Sequence, residues 1–202
     1  MTLKIAVMAS TKGTDLQAII DAIKNKELNV DLKIVITNKE CYAAQRAQEQ
    51  GFNVRIIPYD KENDDKESYD KKIAVILKEN EVELIVLVGY MRLFSPWFVN
   101  KYKIINIHPS LLPSFPGMDL NVHKEVLEHG CKVSGCTIHF VDEGMDTGPI
   151  IAQEAVKIEN NETIDSLKEK VQNLEKKLYI KVIKLYSEGK IKVINKKVFI
   201  ND

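Results

Sequence analysis

Apolar residues recur along this chain in two rhythms. Unbroken runs rich in valine and isoleucine stand at 4–9, 32–37, 53–57, 83–88 and 104–107, the pattern of short strands buried on both faces. Between them 43–50 and 66–79 read as helices, and another helix starts near Leu16 behind a turn at 10–15. Strands separated by helices of this length form right-handed crossover units and a parallel sheet. The expected architecture is α/β, Rossmann-like: a mostly parallel twisted sheet with helices on both faces. Further on, 121–128 reads as a helix, with 132–141 and 150–156 as strands. A long helix over 163–186 carries an apolar stripe at Ile164, Leu167, Val171, Leu174, Leu178, Val182 and Leu185, whose spacing of three and four marks one buried face. Short runs at 191–194 and 198–200 about Asn195-Lys196 predict a small C-terminal hairpin. No repeat, low-complexity segment or linker interrupts residues 1–202, so one domain is expected.

In such sheets ligands sit beyond the carboxyl ends of the strands, so the turns there matter most. After the first strand, Ser10-Thr11-Lys12-Gly13-Thr14-Asp15 leads into a helix, with Thr14 and Gln17 spaced as a capping box. A helix N-terminus beside a lysine favours a phosphate. Neither Gly-x-Gly-x-x-Gly nor the long loop ending in Gly-Lys-Ser/Thr is present, which argues against dinucleotide or ATP binding. After the fourth strand, Gly89-Tyr90-Met91-Arg92-Leu93-Phe94-Ser95-Pro96 sets apolar side chains about one arginine, and Ser95-Pro96 opens a short helix. Met91, Leu93 and Phe94 fit either the core or a pocket at the ligand edge.

The stretch 104–117 carries the clearest chemistry. Asn106 and His108 are two apart and leave the strand from one face, with Ile105 and Ile107 on the other; Pro109 ends the strand. Two readings stand: a strand cap with a core histidine, or an oxyanion donor beside a group that carries a proton near neutral pH, as acyl transfer needs. The acidic, glycine-containing loop 142–149 likewise serves either as a turn whose Asp146 bonds its own backbone or as a carboxylate that reaches His108 and raises its pKa. Glu175 lies at the edge of the long helix's stripe, as a solvated flank or a ligand group.

Composition narrows the classes. The 202 residues include 29 Lys plus Arg and 29 Asp plus Glu, a net charge of zero, which offers no general attraction to nucleic acid or an anionic membrane. The first residues lack the basic and long apolar segments of a secretion signal, so a cytoplasmic location is expected. Cys41, Cys131 and Cys136 are odd in number and read as reduced thiols in packing positions. His108, His123, His129 and His139 lack a close pairing with cysteine or acid, so no metal is expected.

Several spaced segments, Asn106-Ile107-His108-Pro109-Ser110-Leu111-Leu112-Pro113, His139-Phe140-Val141, Asp146-Thr147-Gly148-Pro149-Ile150 and Gly89-Tyr90-Met91-Arg92, occur in the order found in the formyltetrahydrofolate-dependent formyltransferases, and the chain resembles that family over nearly its whole length. The resemblance implies transfer of a formyl group from 10-formyltetrahydrofolate, a co-substrate, to the free amine of glycinamide ribonucleotide. It implies Asn106 as oxyanion donor, His108 as proton donor and Asp146 as the carboxylate that tunes it. Lys12, Gly13, Thr14 and Asp15 then fall at the substrate phosphate and ribose, with Glu175 at the amine end. Lys66, Met91, Arg92, Leu93, Phe94, Asn106 and Val141 fall around the folate. The partners implied are these two small molecules, for a monomer or homodimer. One departure stands out: where the family commonly reads Ser-Gly-x-Gly-Ser/Thr-Asn, Thr11 and Lys12 replace the first part and Asp15 the final asparagine. An acid near a phosphate is unfavourable by charge, and Lys12 offsets it.

Other readings are formylation of methionyl-tRNA, for which a further β-barrel and basic surface are expected, hydrolysis of formyltetrahydrofolate, for which an amino-terminal regulatory domain is expected, and a non-catalytic binder of phosphorylated metabolites on the same fold. The neutral charge weighs against the first. The second has little room, because Met1 precedes the first strand by two residues.

Overall fold

A computed structural model describes residues 2–117 and 121–201. Seven strands form one sheet in the order β3-β2-β1-β4-β5-β6-β7. The parallel part comprises β1 (Leu3–Ala9), β2 (Val30–Thr37), β3 (Val54–Ile56), β4 (Leu84–Val88) and β5 (Ile104–His108). Against β5 runs β6 (Val133–Phe140), antiparallel, and β7 (Ile150–Lys157) continues antiparallel at the edge. The expected mostly parallel sheet is thus present, with a two-strand antiparallel extension. β6 enters it through the helix α5 (Val122–Glu128) and leaves through the loop that carries Asp146.

Burial follows the sequence runs. Ile5 to Ala9 and Leu84 to Val88 are buried throughout, because the crossover helices cover both faces of these central strands. Ile5, Val7, Val86, Ile105 and Ile107 pack on one face with α1 (Thr14–Lys24) and the long α6 (Ile164–Ser187). Ala6, Met8, Ile85 and Ile104 pack on the other with α3 (Lys66–Glu79) and α4 (Pro96–Lys101). The Tyr179 hydroxyl of α6 donates to the backbone carbonyls of Leu87 and Ile105. That ties α6 to the backbones of β4 and β5. A separate hairpin, β8 (Ile191–Ile194) with β9 (Lys197–Ile200), follows α6.

Helix ends match the sequence at Ser95, whose Oγ accepts from the Phe98 N–H with Pro96 in the first turn. They differ at α1. No side chain caps that helix, and the expected Thr14–Gln17 box is not formed. The Gln17 side chain is engaged elsewhere, donating to Asp21 and accepting from Arg46 and Gln50. The chain enters α1 through Gly13, at φ +66. A Cβ at Gly13 would lie 2.7 Å from Ala43 Cβ, so both the left-handed backbone and the close approach of α2 (Tyr42–Glu49) require glycine there.

Candidate active site

β1 lies between β2 and β4, so the strand order reverses at the β1/β4 boundary, where open α/β sheets bind ligands. The loops after β1 and β4 are tied together there. Ser10 N–H donates to the Gly89 carbonyl, and Met91 N–H donates to Ser10 Oγ at 3.0 Å. The end of β5 brings Asn106 and His108 to the same edge.

Antiparallel register sets Asn106 opposite His139 and His108 opposite Thr137. Asn106 Nδ2 lies 3.3 Å from His139 Nε2. His139 Nδ1 lies 2.9 Å from the Phe140 carbonyl, which orients the ring so that Nε2 stands between the Asn106 amide and the Asp146 carboxylate. His139 stood in a quoted segment of the sequence without a role of its own, although its pairing with Asn106 follows once β5 and β6 are neighbours.

Asp146 joins both histidines. Its carboxylate accepts from Gly117 N–H at 2.8 Å and lies 3.3 Å from His108 Nδ1 and 3.4 Å from His139 Nε2. The residue holds φ +55, a left-handed conformation that costs energy outside glycine and persists only where surroundings fix it. Of the two readings of this loop, the structure shows the one in which Asp146 reaches His108. The other ring nitrogen, His108 Nε2, lies 2.7 Å from the Phe115 carbonyl. Both nitrogens of His108 thus face acceptors, and only the imidazolium satisfies both.

Burial and the surrounding donors and charges act in opposite directions on this cluster. Burial alone would raise the Asp146 carboxyl, but donation from His139 and Gly117 and the charges of the two histidines outweigh it and leave the group below its ordinary value. His108 behaves differently from expectation. Burial pushes its imidazole below the ordinary value, and the Asp146 charge with the Phe115 carbonyl recovers only part of that. Asp146 acts in the expected upward direction, but desolvation of a nearly buried ring is the larger effect.

Two cavities meet at this cluster. The first, about 410 Å³, is lined by Lys12, Gly13, Thr14 and Asp15 from the turn into α1, by Asn106, His108 and Asp146, and by Glu175 from α6. Gln172, Lys168 and His123 line it too, and none of the three was expected. On α6 the positions 168, 172 and 175 follow at four and three residues, a second stripe beside the apolar one, and that spacing is the signal that was available. Glu175 is buried rather than a solvated flank, and burial followed by the charge of Asp15 pushes its carboxyl up to about 8.

The second cavity, about 90 Å³, is lined by Lys66, Arg92, Leu93, Phe94, Asn106 and Val141, with residues 142–146 along one wall. Met91, expected in this group, lines the first cavity instead, because its backbone is tied to Ser10 on the β1 side. The Arg92 guanidinium stacks 3.5 Å from the Tyr59 ring centroid and 4.7 Å from that of Tyr69, which fixes its plane. Asn106 and Asp146 line both cavities. A larger cavity of about 860 Å³ under the β8–β9 hairpin shares Val141 with the second one but contains none of the other expected residues.

A bound oxygen that gains negative charge between Asn106 and His108 would thus meet an amide donor and an imidazole held by a carboxylate, the set that stabilises a tetrahedral acyl intermediate. The formyl transferase family model matches residues 3–183. The chain belongs to the formyl transferase family. Among its relatives, phosphoribosylglycinamide formyltransferase of Bacillus subtilis is 40% identical, the match covering 90% of this chain and 93% of the relative. The Escherichia coli protein of the same name is 34% identical over 95% of this chain and 90% of its own. The trifunctional purine biosynthetic protein adenosine-3 of Gallus gallus is 40% identical over 94% of this chain, which spans 19% of that longer protein. Among solved structures, phosphoribosylglycinamide formyltransferase from Coxiella burnetii in complex with CHES superposes with a TM-score of 0.93 at 35% identity, covering 99% of this chain and 94% of that one. A formyltetrahydrofolate deformylase from Pseudomonas syringae gives 0.91 at 25% identity, covering all of this formyl transferase chain and 67% of its own. No helix among the described residues is long and apolar enough to cross a membrane.

Proposed function

We propose that this formyl transferase is a phosphoribosylglycinamide formyltransferase, moving the formyl group of 10-formyltetrahydrofolate to the amine of glycinamide ribonucleotide in purine biosynthesis. The observation that carries the reading is the position of Asn106 and Asp146 on the shared wall of two cavities of different character, with His108 beside them. The first cavity offers Lys12 and the uncapped N-terminus of α1 to a phosphate. The second offers the apolar Leu93, Phe94 and Val141 with Lys66 and Arg92 to a planar ring system bearing carboxylates.

The neutral amine attacks the formyl carbon, and the carbonyl oxygen becomes an alkoxide in a tetrahedral intermediate. Asn106 donates to that oxygen through Nδ2, and protonated His108 donates beside it. Each such donor contributes roughly 3–4 kcal/mol to lowering the barrier. Asp146 holds the imidazolium that burial disfavours. One proton leaves the attacking nitrogen and one reaches the departing folate nitrogen as the carbon–nitrogen bond breaks, giving the formamide and tetrahydrofolate. His108 Nε2 lies against the Phe115 carbonyl, so its donation to substrate displaces that contact.

The test is an acceptor comparison. Purified protein with 10-formyltetrahydrofolate should release tetrahydrofolate when glycinamide ribonucleotide is added, and stay silent with water alone or with methionyl-tRNA. Release without the ribonucleotide would instead favour the hydrolysis that the Pseudomonas relative's name describes. Binding of both compounds without release would favour a non-catalytic binder.

A further inference from the structure

The loop that enters α1 is held by a helix outside the cavity it lines. Two of its carbonyls are taken by α2: Ala43 N–H donates to the Thr11 carbonyl at 3.2 Å, and Arg46 Nε donates to the Lys12 carbonyl at 3.0 Å. The same guanidinium reaches α1 through Nη1, which donates to Gln17 Oε1 at 3.3 Å. Gln17 is itself fixed, accepting from Gln50 Nε2 at 2.9 Å and donating to Asp21 at 2.8 Å. Arg46 therefore joins the loop to the helix it opens. Among the described residues that line the cavity, none belongs to α2.

In a planar trans peptide the C=O and the following N–H point in opposite directions. With its Thr11 C=O directed at α2, the Thr11–Lys12 peptide turns the Lys12 N–H away from that helix. With its Lys12 C=O directed at Arg46, the Lys12–Gly13 peptide does the same for the Gly13 N–H. Neither N–H has an acceptor among the described residues, and both belong to residues that line the cavity. Successive N–H groups facing one concavity attract an anion; a carbonyl facing it would repel one.

Local chemistry does little to secure this arrangement. Gly13 stands at φ +66, but glycine adopts other angles as readily, and no side chain caps α1. Rotation of the Lys12–Gly13 peptide would bring the carbonyl towards the cavity and withdraw the N–H. The bond from Arg46 Nε opposes that rotation, because the Lys12 carbonyl would lose a charged donor.

We propose that Arg46 is a positioning residue: by holding the Lys12 carbonyl against α2, it keeps the Gly13 N–H directed at the phosphate of the ribonucleotide without itself touching substrate. The inference rests on the reading that this cavity takes a phosphorylated ribonucleotide, and it adds to that reading a residue of α2, outside the site.

The test compares two neutral replacements of similar length. In Arg46→Gln the amide Nε2 stands as many bonds from the backbone as the arginine Nε, so the donor to the Lys12 carbonyl is kept while the charge is lost. Arg46→Met has the same reach and no donor. Both, checked for a native circular dichroism spectrum, are assayed for formyl transfer to glycinamide ribonucleotide and to its riboside, which lacks the phosphate. Loss of one hydrogen bond to a charged group corresponds to about ten-fold, so kcat/KM for the ribonucleotide should fall about that far in Arg46→Met and only slightly in Arg46→Gln. With the riboside, both variants should match the wild type. The Ki of inorganic phosphate against the ribonucleotide should rise in Arg46→Met and hold in Arg46→Gln. Equal losses with both acceptors would make Arg46 a general structural support. A loss in Arg46→Gln as large as in Arg46→Met would assign the effect to charge, and a wild-type Arg46→Met would mean that the loop keeps its own shape; each of these overturns the proposal. Transfer to the ribonucleotide by the wild type tests the underlying reading separately.

Discussion

At the scale of single residues, the cluster works through opposed effects on one proton. Burial disfavours the His108 imidazolium, and Asp146 partly restores it. Removing the carboxylate by Asp146→Asn leaves only the Phe115 carbonyl to oppose burial, so the pH at which half the enzyme holds an active imidazolium should move to lower values. The rate near pH 7 should fall more than the rate near pH 5.5, and a kcat–pH profile unchanged in shape would contradict this coupling. His123 shows the same physics in stability. Its folded value, about 4, lies below its ordinary 6.5, so the unfolded chain binds the extra proton. Stability associated with His123 is therefore complete above pH 6.5 and is lost as pH falls from there to about 4. Chemical denaturation at pH 7 and 4.5 should show a smaller difference for His123→Gln than for the wild type.

At the scale of elements, what was legible followed from periodicity, and what was not depended on neighbours distant in sequence. The central strands and the Ser95-Pro96 helix start stand where expected because their apolar runs and cap chemistry are local. The α1 cap failed because Gln17 found partners on α2 and within α1, and the close approach of Ala43 made Gly13 the entry point. Glu175 stayed open between a flank and a ligand group because the stripe of α6 was read against one surface, whereas this helix touches both core and cavity. His139 was invisible as a partner of Asn106 until β6 took its antiparallel place beside β5. At the start of α6, Thr163 accepts from the Ser166 N–H at 3.1 Å in a capping box. Thr163→Ala should therefore cost about 1 kcal/mol, visible as a lower midpoint in urea with an unchanged slope. No shift in that midpoint would mean that tertiary packing alone holds the helix end.

At the scale of the whole molecule, the shared sheet edge gives each substrate its own approach to one reaction centre. The second cavity, about 90 Å³, is well below the roughly 300–1,000 Å³ of pockets that enclose drug-sized ligands. Folate binding should move the 142–146 wall, and Asp146 with it. Amides of that loop should gain protection from hydrogen exchange on addition of a non-reactive folate analogue, while β1 and β4 stay unchanged. Uniform protection across the sheet, or none in the loop, would contradict this. The central claim, that Asn106 and His108 hold charge that appears only in the transition state, is tested most directly by the kinetics of Asn106→Ala with both substrates. A fall in kcat of about 10²–10³, with KM for each substrate within a few-fold of wild type, is the expected result; a kcat near wild type, or a loss confined to KM, would contradict it.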